Sequence, residues 1–192
     1  MIAIVKYNAG NIKSVQNSLT RLGYDSIITD DPTQLFRADK VIFPGVGEAS
    51  SAMIYLKERG LDKTISSLTQ PVLGICLGLQ LMCRHSEEAD TKCLGIFDAN
   101  VRLFPPADKI PHMGWNNFLT MNGDLFKGLA IEDDLYYVHS YYPEISSCTI
   151  ATCDYILPFS AAMQKGNFYA TQFHPEKSAE AGEKILRNFL EL

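Results

Sequence analysis

No apolar run in the sequence approaches the roughly 20 residues that a membrane-spanning helix requires, so a helical membrane anchor is not expected. Basic residues are in deficit. The 17 Lys and Arg stand against 22 Asp and Glu, a net charge of −5, which argues against nucleic acid or an anionic membrane surface as the main partner. Cysteine is sparse and odd in number, at positions 76, 83, 93, 148 and 153, with no C-x-x-C pair. That pattern suits neither a disulfide framework nor a zinc site, and fits a reducing cytoplasm where a thiol can stay free. The phosphate-cradling patterns G-x-x-x-x-G-K-[ST] and G-x-G-x-x-G are absent, as are internal repeats and linkers rich in Pro, Gly or Ser. Nothing calls for a cofactor or a metal. The opening M-I-A-I-V-K-Y is too short and too soon charged for a signal peptide, and reads as a first strand.

What is present points to a globular fold. With 192 residues, 46% apolar and 20% charged, the chain can build a sizeable core, and one domain over residues 1–192 is expected. Apolar β-branched runs at 2–7, 24–29, 40–45 and 71–76 alternate with helical spacing from Ile12 to Leu22, at 48–59 and at about 77–85. Asn11 is placed to cap the first of these helices and Gly23 to stop it. The second half reads as shorter strands at 101–104, 115–119, 136–142, 149–154, 160–164 and 168–173, with a hairpin turn at 165–167. Ala181, Ile185, Phe189 and Leu190 give a closing helix its apolar face. The fold class is therefore α/β: an open, mainly parallel twisted sheet with helices on both faces and an antiparallel extension.

Three stretches carry chemistry. G-I-C-L-G-L-Q at 74–80 puts Cys76 between two glycines where a strand becomes a helix, the elbow geometry of α/β hydrolases with cysteine in place of serine. A tight elbow leaves room only for glycine at 74 and 78, and the free N–H groups that open the next helix favour a thiolate. Q-F-H-P-E at 172–176 ends a strand with His174 and, two residues on, Glu176, a base with a carboxylate to orient it. P-G-V-G at 44–47 ends another strand and can present backbone N–H groups to an oxyanion, with the N–H after Cys76 as second donor. Each stretch alone suits a packing cysteine, a loop histidine or an ordinary turn. Together they occupy strand ends, which in an open parallel sheet share the edge where ligands bind. His85 reads as an exposed residue at a polar helix end, and His139 as a structural residue within a strand.

P-G-V-G, G-I-C-L-G-L-Q and Q-F-H-P-E, in that order and spacing, resemble the triad-type, class I glutamine amidotransferase family. The stretches P-H-M-G-W-N at 111–116 and Y-Y-V-H-S-Y-Y at 136–142 are similar to those of its glutaminase subunits that serve imidazole glycerol phosphate synthase in histidine biosynthesis. The likeness runs from Tyr7, Gly10 and Asn11 to E-K-S at 176–178. It implies that Cys76 attacks the side-chain amide of L-glutamine, His174 shuttles the proton and Glu176 orients His174. It implies an oxyanion held by N–H groups of Leu77 and of Val46 and Gly47. Gln80, Glu88 (adjoining Glu87), Ser140 and Tyr141 would hold the amino-acid part of glutamine. The implied partner is a separate cyclase subunit with a (β/α)₈ barrel, which receives the ammonia and makes imidazole glycerol phosphate and an aminoimidazole carboxamide ribonucleotide. Asn11, Pro111, His112, Met113, Gly114, Trp115 and Asn116 would lie at that interface, with His112 equally suited to structuring a loop. Trp115, the sole tryptophan, fits either an amphipathic anchor or a core position. Lys6 and Asn8 depart from the family, which has an acidic residue before the first tyrosine and a glycine after it. Service to another synthase (anthranilate, pyridoxal phosphate or carbamoyl phosphate), a non-catalytic regulatory module, and a cysteine peptidase or thioesterase on the same fold are the competing readings.

Overall fold

A computed structural model describes residues 1–192. The chain runs through β1 (Ile2–Val5), α1 (Ile12–Arg21), β2 (Ser26–Thr29), α2 (Pro32–Arg37), β3 (Lys40–Gly45), α3 (Ala49–Glu58), α4 (Leu61–Ser66), β4 (Val72–Cys76) and α5 (Leu77–Met82). There follow β5 (His85–Ser86), β6 (Thr91–Lys92), β7 (Asn100–Leu103), β8 (His112–Asn116), β9 (Thr120–Met121), β10 (Leu135–His139), β11 (Tyr141–Pro143), β12 (Thr149–Tyr155), β13 (Leu157–Lys165), β14 (Phe168–Thr171) and α6 (Ala179–Glu191). The main sheet has the order β2-β1-β3-β4-β14-β13-β12-β9. Its first five strands are parallel, and β13, β12 and β9 extend it antiparallel. A two-stranded ribbon, β10-β8, and a four-stranded sheet, β11-β7-β5-β6, lie apart from it. No helix is long and apolar enough to cross a membrane.

Strand alternation decides which helices cover which face. Ile2 and Ile4, Ile42, Leu73 and Ile75 point into one core with Val15 and Leu19 of α1 and Ile185, Leu186 and Phe189 of α6. Their neighbours Ala3, Val5, Val41, Phe43 and Val72 point into the other, with Leu35, Met53, Leu56, Leu61, Ile65 and Leu79 from α2 to α5. Burial on both faces explains why these strands read as continuous apolar runs.

The differences from the sequence reading are local. Two six-residue helices, α2 and α4, span too few turns to show a periodicity. Asp31 nevertheless caps α2 by accepting from the Thr33 N–H at 2.9 Å, with Pro32 at the first helical position. The expected helix over 77–85 stops at Met82, and His85 lies in β5 rather than at a helix end, because it pairs with Lys92 and Asn100 across the smaller sheet. The expected strand over 136–142 divides at Ser140, since β10 pairs with β8 while β11 pairs with β7. The strand expected at 115–119 is instead β8 at His112–Asn116. Asn11 does not cap α1: its backbone is left-handed, with φ of 74°, and its side chain makes no cap bond. A capping side chain needs extended backbone at that position.

Candidate active site

Three consecutive strands of the parallel sheet bring the chemistry together. Gly45, the last residue of β3, is the register partner of Cys76, the last of β4. Thr171, the last of β14, is paired with Ile75 on the other side of β4. The 44–47 turn, Cys76 and His174 therefore leave neighbouring strands at the same edge. At Cys76 the backbone adopts φ 53° and ψ −106° as it turns into α5, a region that costs on the order of 1–3 kcal/mol for a residue with a Cβ. Leu77 heads α5, where the first N–H groups lack an intrahelical acceptor. The Val46 carbonyl accepts from the Gly10 N–H at 3.4 Å, and Gly47 has φ of 126°, which only glycine adopts without strain.

The His174 and Glu176 side chains are completely buried, with Nδ1 2.8 Å from Oε1. The His174 N–H donates to the Tyr136 carbonyl at 2.9 Å. The Ser178 hydroxyl donates to the His174 carbonyl at 2.6 Å and accepts from the Tyr136 N–H at 2.9 Å. His174 is thus clamped to the β10 backbone. Asn11, rather than capping its helix, donates to Glu176 Oε1 and lies 3.3 Å from His174 Nδ1. Burial by itself depresses the His174 imidazolium, but the charge of Cys76 and the Glu176 carboxylate outweigh it and raise the group to about 10. His174 Nε2 is buried with no hydrogen-bond partner, free to exchange a proton.

A cavity of about 380 Å³ opens beside the sulfur, lined by Val46, Gly47, Cys76, Leu77, Gln80, Glu88, Pro111, Val138, His139, Ser140 and Tyr141. Glu88 lines it and accepts from the Ala49 N–H at 2.7 Å at the start of α3; burial raises its carboxyl pKa. Glu87 turns away to Arg102 at 3.0 Å and to the Leu103 N–H at 2.8 Å. The Gln80 Nε2–H donates to the Tyr141 carbonyl at 2.9 Å.

The residues expected at an interface divide between surface and interior. Met113 and Trp115 are 60% and 54% exposed on alternate positions of β8, so Trp115 is not a core residue. Gly114 lies between them, with φ of 138°. His112 is buried within a strand, stacked on Tyr155 with ring centroids 4.0 Å apart and on Tyr137 at 4.9 Å, so it does not structure a loop. Pro111 reaches the cavity, and Asn116 ties β8 to the Asp154 carbonyl at 3.0 Å. Asn8 donates to the Ser51 carbonyl of α3 at 3.2 Å, while Lys6 is exposed.

His112 and His139 form a directed pair. The Tyr141 carbonyl can only accept, so His139 Nδ1, 2.7 Å away, carries the proton. His139 Nε2 then accepts from His112 Nδ1 at 3.0 Å, and His112 Nε2 accepts from Asn116 at 3.3 Å. Both rings are neutral in this arrangement, and burial pushes His112 down to about 4 and His139 to about 3. The folded-state values lie below the unfolded value of about 6.5, so the unfolded chain binds more protons between these limits. The stabilisation is complete above about pH 6.5 and is lost as pH falls toward 4 and 3. From pH 7 to 5 the expected loss is about 2 kcal/mol per histidine. His174, whose folded value is raised, contributes its change on the alkaline side, between about 6.5 and about 10. Urea midpoints at pH 7 and pH 5 check this. An unchanged midpoint would mean that both rings take up protons in the folded state as they do in the unfolded chain.

Sequence reasoning missed three residues at this site. Gln172 places Nε2 3.6 Å from the Cys76 sulfur, the Val138 carbonyl lies 4.0 Å from it, and His139 lines the cavity. All three stood inside quoted stretches, Q-F-H-P-E and Y-Y-V-H-S-Y-Y, and nothing in the local spacing set them apart from their neighbours.

A thiol, a buried imidazole–carboxylate pair and a glycine turn at adjacent strand ends, beside a cavity of about 380 Å³, define an acyl-transfer enzyme of the cysteine-elbow class. The family described as Glutamine amidotransferase class-I matches residues 3–192, and the chain belongs to it. More particularly, it is 60% identical over 194 residues to Imidazole glycerol phosphate synthase subunit HisH of Bacteroides fragilis, a match covering 100% of this chain and 99% of that one. It is 45% identical over 199 residues to the subunit of that name in Vibrio cholerae, covering 100% and 98%. A solved structure of a glutamine amidotransferase from Thermotoga maritima superposes with a TM-score of 0.66 at 17% identity, covering 99% of this chain and 82% of that one, a likeness of fold alone.

Proposed function

We propose that this chain is the glutaminase subunit of imidazole glycerol phosphate synthase and works in histidine biosynthesis. The observation that carries the chemistry is the convergence of Cys76, His174 and Glu176 at adjoining strand ends beside the cavity. Cys76 attacks the side-chain amide carbon of L-glutamine and a C–S bond forms as the carbonyl oxygen takes negative charge. The N–H of Leu77 and the Val46–Gly47 turn face that oxyanion. His174 takes the thiol proton and returns it to the departing nitrogen, the C–N bond breaks and ammonia leaves. Water, deprotonated by His174, then cleaves the thioester to glutamate and restores the thiol. Glu176 balances the imidazolium charge in the buried site. Gln80, Glu88, Ser140 and Tyr141 bind the α-amino and α-carboxyl ends of the substrate.

Ammonia released into water near neutral pH is mostly ammonium and a poor nucleophile, so it passes directly to a cyclase subunit with a (β/α)₈ barrel. The outward face of the β8–β10 ribbon, with Met113 and Trp115 exposed, is the docking surface. The same ribbon holds His174 through the Tyr136 carbonyl and, by way of the Ser178 hydroxyl, through the Tyr136 N–H, so docking acts on the triad through these hydrogen bonds. Glutamine hydrolysis is therefore expected to be slow for the chain alone and faster by at least about tenfold with the cyclase and its nucleotide bound. The test is a glutaminase assay with and without them, with nitrogen incorporation followed in parallel. Equal rates in both conditions would sink the assignment.

A further inference from the structure

Gln172 is fully buried beside the nucleophile, and the acyl-transfer scheme gives it no task. Its terminal atoms are identified by the backbone. The Tyr141 carbonyl can only accept, so the Gln80 atom 2.9 Å from it is the amide nitrogen. That nitrogen also lies 3.0 Å from Gln172, whose facing atom must therefore be the acceptor Oε1. The amino group of Gln172 is left pointing at Cys76, with Nε2 3.6 Å from Sγ. Two polar groups thus meet the sulfur with opposite preferences. The Val138 carbonyl, at 4.0 Å, accepts from a thiol and repels a thiolate. The Gln172 amide donates, and a donor favours the charged form.

We propose that Gln172 is a catalytic residue: its Nε2–H donates to the Cys76 sulfur and stabilises the thiolate that attacks the amide carbon and leaves again when water cleaves the thioester. Gln80 acts through it as a positioning residue, since the Gln80–Tyr141 bond prevents the Gln172 amide from turning over. The inference rests on Cys76 being the nucleophile and adds the group that keeps its sulfur charged.

The test is the pH dependence of Cys76 alkylation by iodoacetamide, a small electrophile with no need of the glutamine site. It is followed on the Cys76 peptide by mass spectrometry in the full chain. Gln172→Glu keeps an acceptor toward Gln80 but turns an oxygen to the sulfur. Gln172→Met keeps the volume and removes both groups. In Gln172→Met the midpoint of the profile is expected to rise by about one pH unit, making alkylation about tenfold slower at pH values below the parent's midpoint. Gln172→Glu is expected to shift further, with a lowered kcat for glutamine at little changed KM. If Gln172 merely supports Gln80, Gln172→Glu will match the parent, Gln172→Met will raise KM, and all the profiles will superimpose. That result overturns the proposal. Gln172→Asn withdraws the amide by one methylene and stands in for any variant that fails to melt cooperatively, with the same shift expected. Superimposed profiles alongside an inactive Cys76→Ala chain overturn this inference alone. An active Cys76→Ala chain would overturn the nucleophile assignment beneath it.

Discussion

Cys76→Ala is expected to lower glutamine hydrolysis by at least about 10⁴-fold while leaving the chain folded, because removal of one triad member removes the work of all three. The structure adds a prediction about stability that activity alone does not carry. Cys76 is held at φ 53° and ψ −106°, and alanine, with a Cβ, inherits that strain. Glycine relieves about 1–3 kcal/mol of it and gives back about 0.5–1 kcal/mol through the entropy of the unfolded chain. Cys76→Gly should therefore be as inactive as Cys76→Ala but more stable by about 1 kcal/mol, measured as the difference between their urea midpoints. Equal midpoints would show that the elbow is unstrained. The elbow conformation would then need no support from the surrounding sheet.

Gly78→Ala is expected to be the most damaging one-carbon addition at the site. A Cβ at 78 would lie 1.9 Å from the Phe43 carbonyl oxygen and 3.0 Å from its carbon, both backbone atoms of β3. Alanine in a helix gains about 1 kcal/mol over glycine, so propensity alone predicts a stabilising change. The clash opposes it: α5 must move off the sheet, and overpacking of this kind costs about 1–3 kcal/mol and sometimes more. We expect net destabilisation of about 2 kcal/mol. We also expect a fall of about 10²-fold in kcat, since a shift of about 1 Å parts the Leu77 N–H from the Val46–Gly47 turn. Gly74→Ala should be milder, because its Cβ meets the flexible Met82 sulfur at 2.9 Å first and the backbone of Gly78 and Leu79 only at 3.1 Å. Denaturation and steady-state kinetics on the two variants decide it. A Gly78→Ala protein with parental stability and rate would show that α5 has room to move.

The elbow on which both variants act was legible in the sequence because its cause is local: small residues must flank Cys76 where β4 turns into α5. The glycine turn at 44–47 and His174 were legible as strand ends, and parallel sheets bring strand ends to one edge. The separation of Glu88 from Glu87 was not legible. Adjacent carboxylates differ only in what each meets, the Ala49 N–H in one case and Arg102 in the other.

By itself, then, the sequence determined the parallel strands and the longer helices between them, the edge of the sheet that bears the chemistry, and the thiol, imidazole and carboxylate types found there, since short-range sterics and periodicity decide these. Only the tertiary structure decided which further side chains join them. Asn11 reaches Glu176 across 165 positions and Gln172 reaches Cys76 across 96, and His112 meets His139 across 27. Contacts at such separations depend on strand order and register, which no local spacing encodes. The same asparagine that looked like a helix cap, and the same glutamine that looked like part of a motif, acquire their partners only when β4 and β14 lie side by side and α1 packs against the turn at Pro175–Lys177.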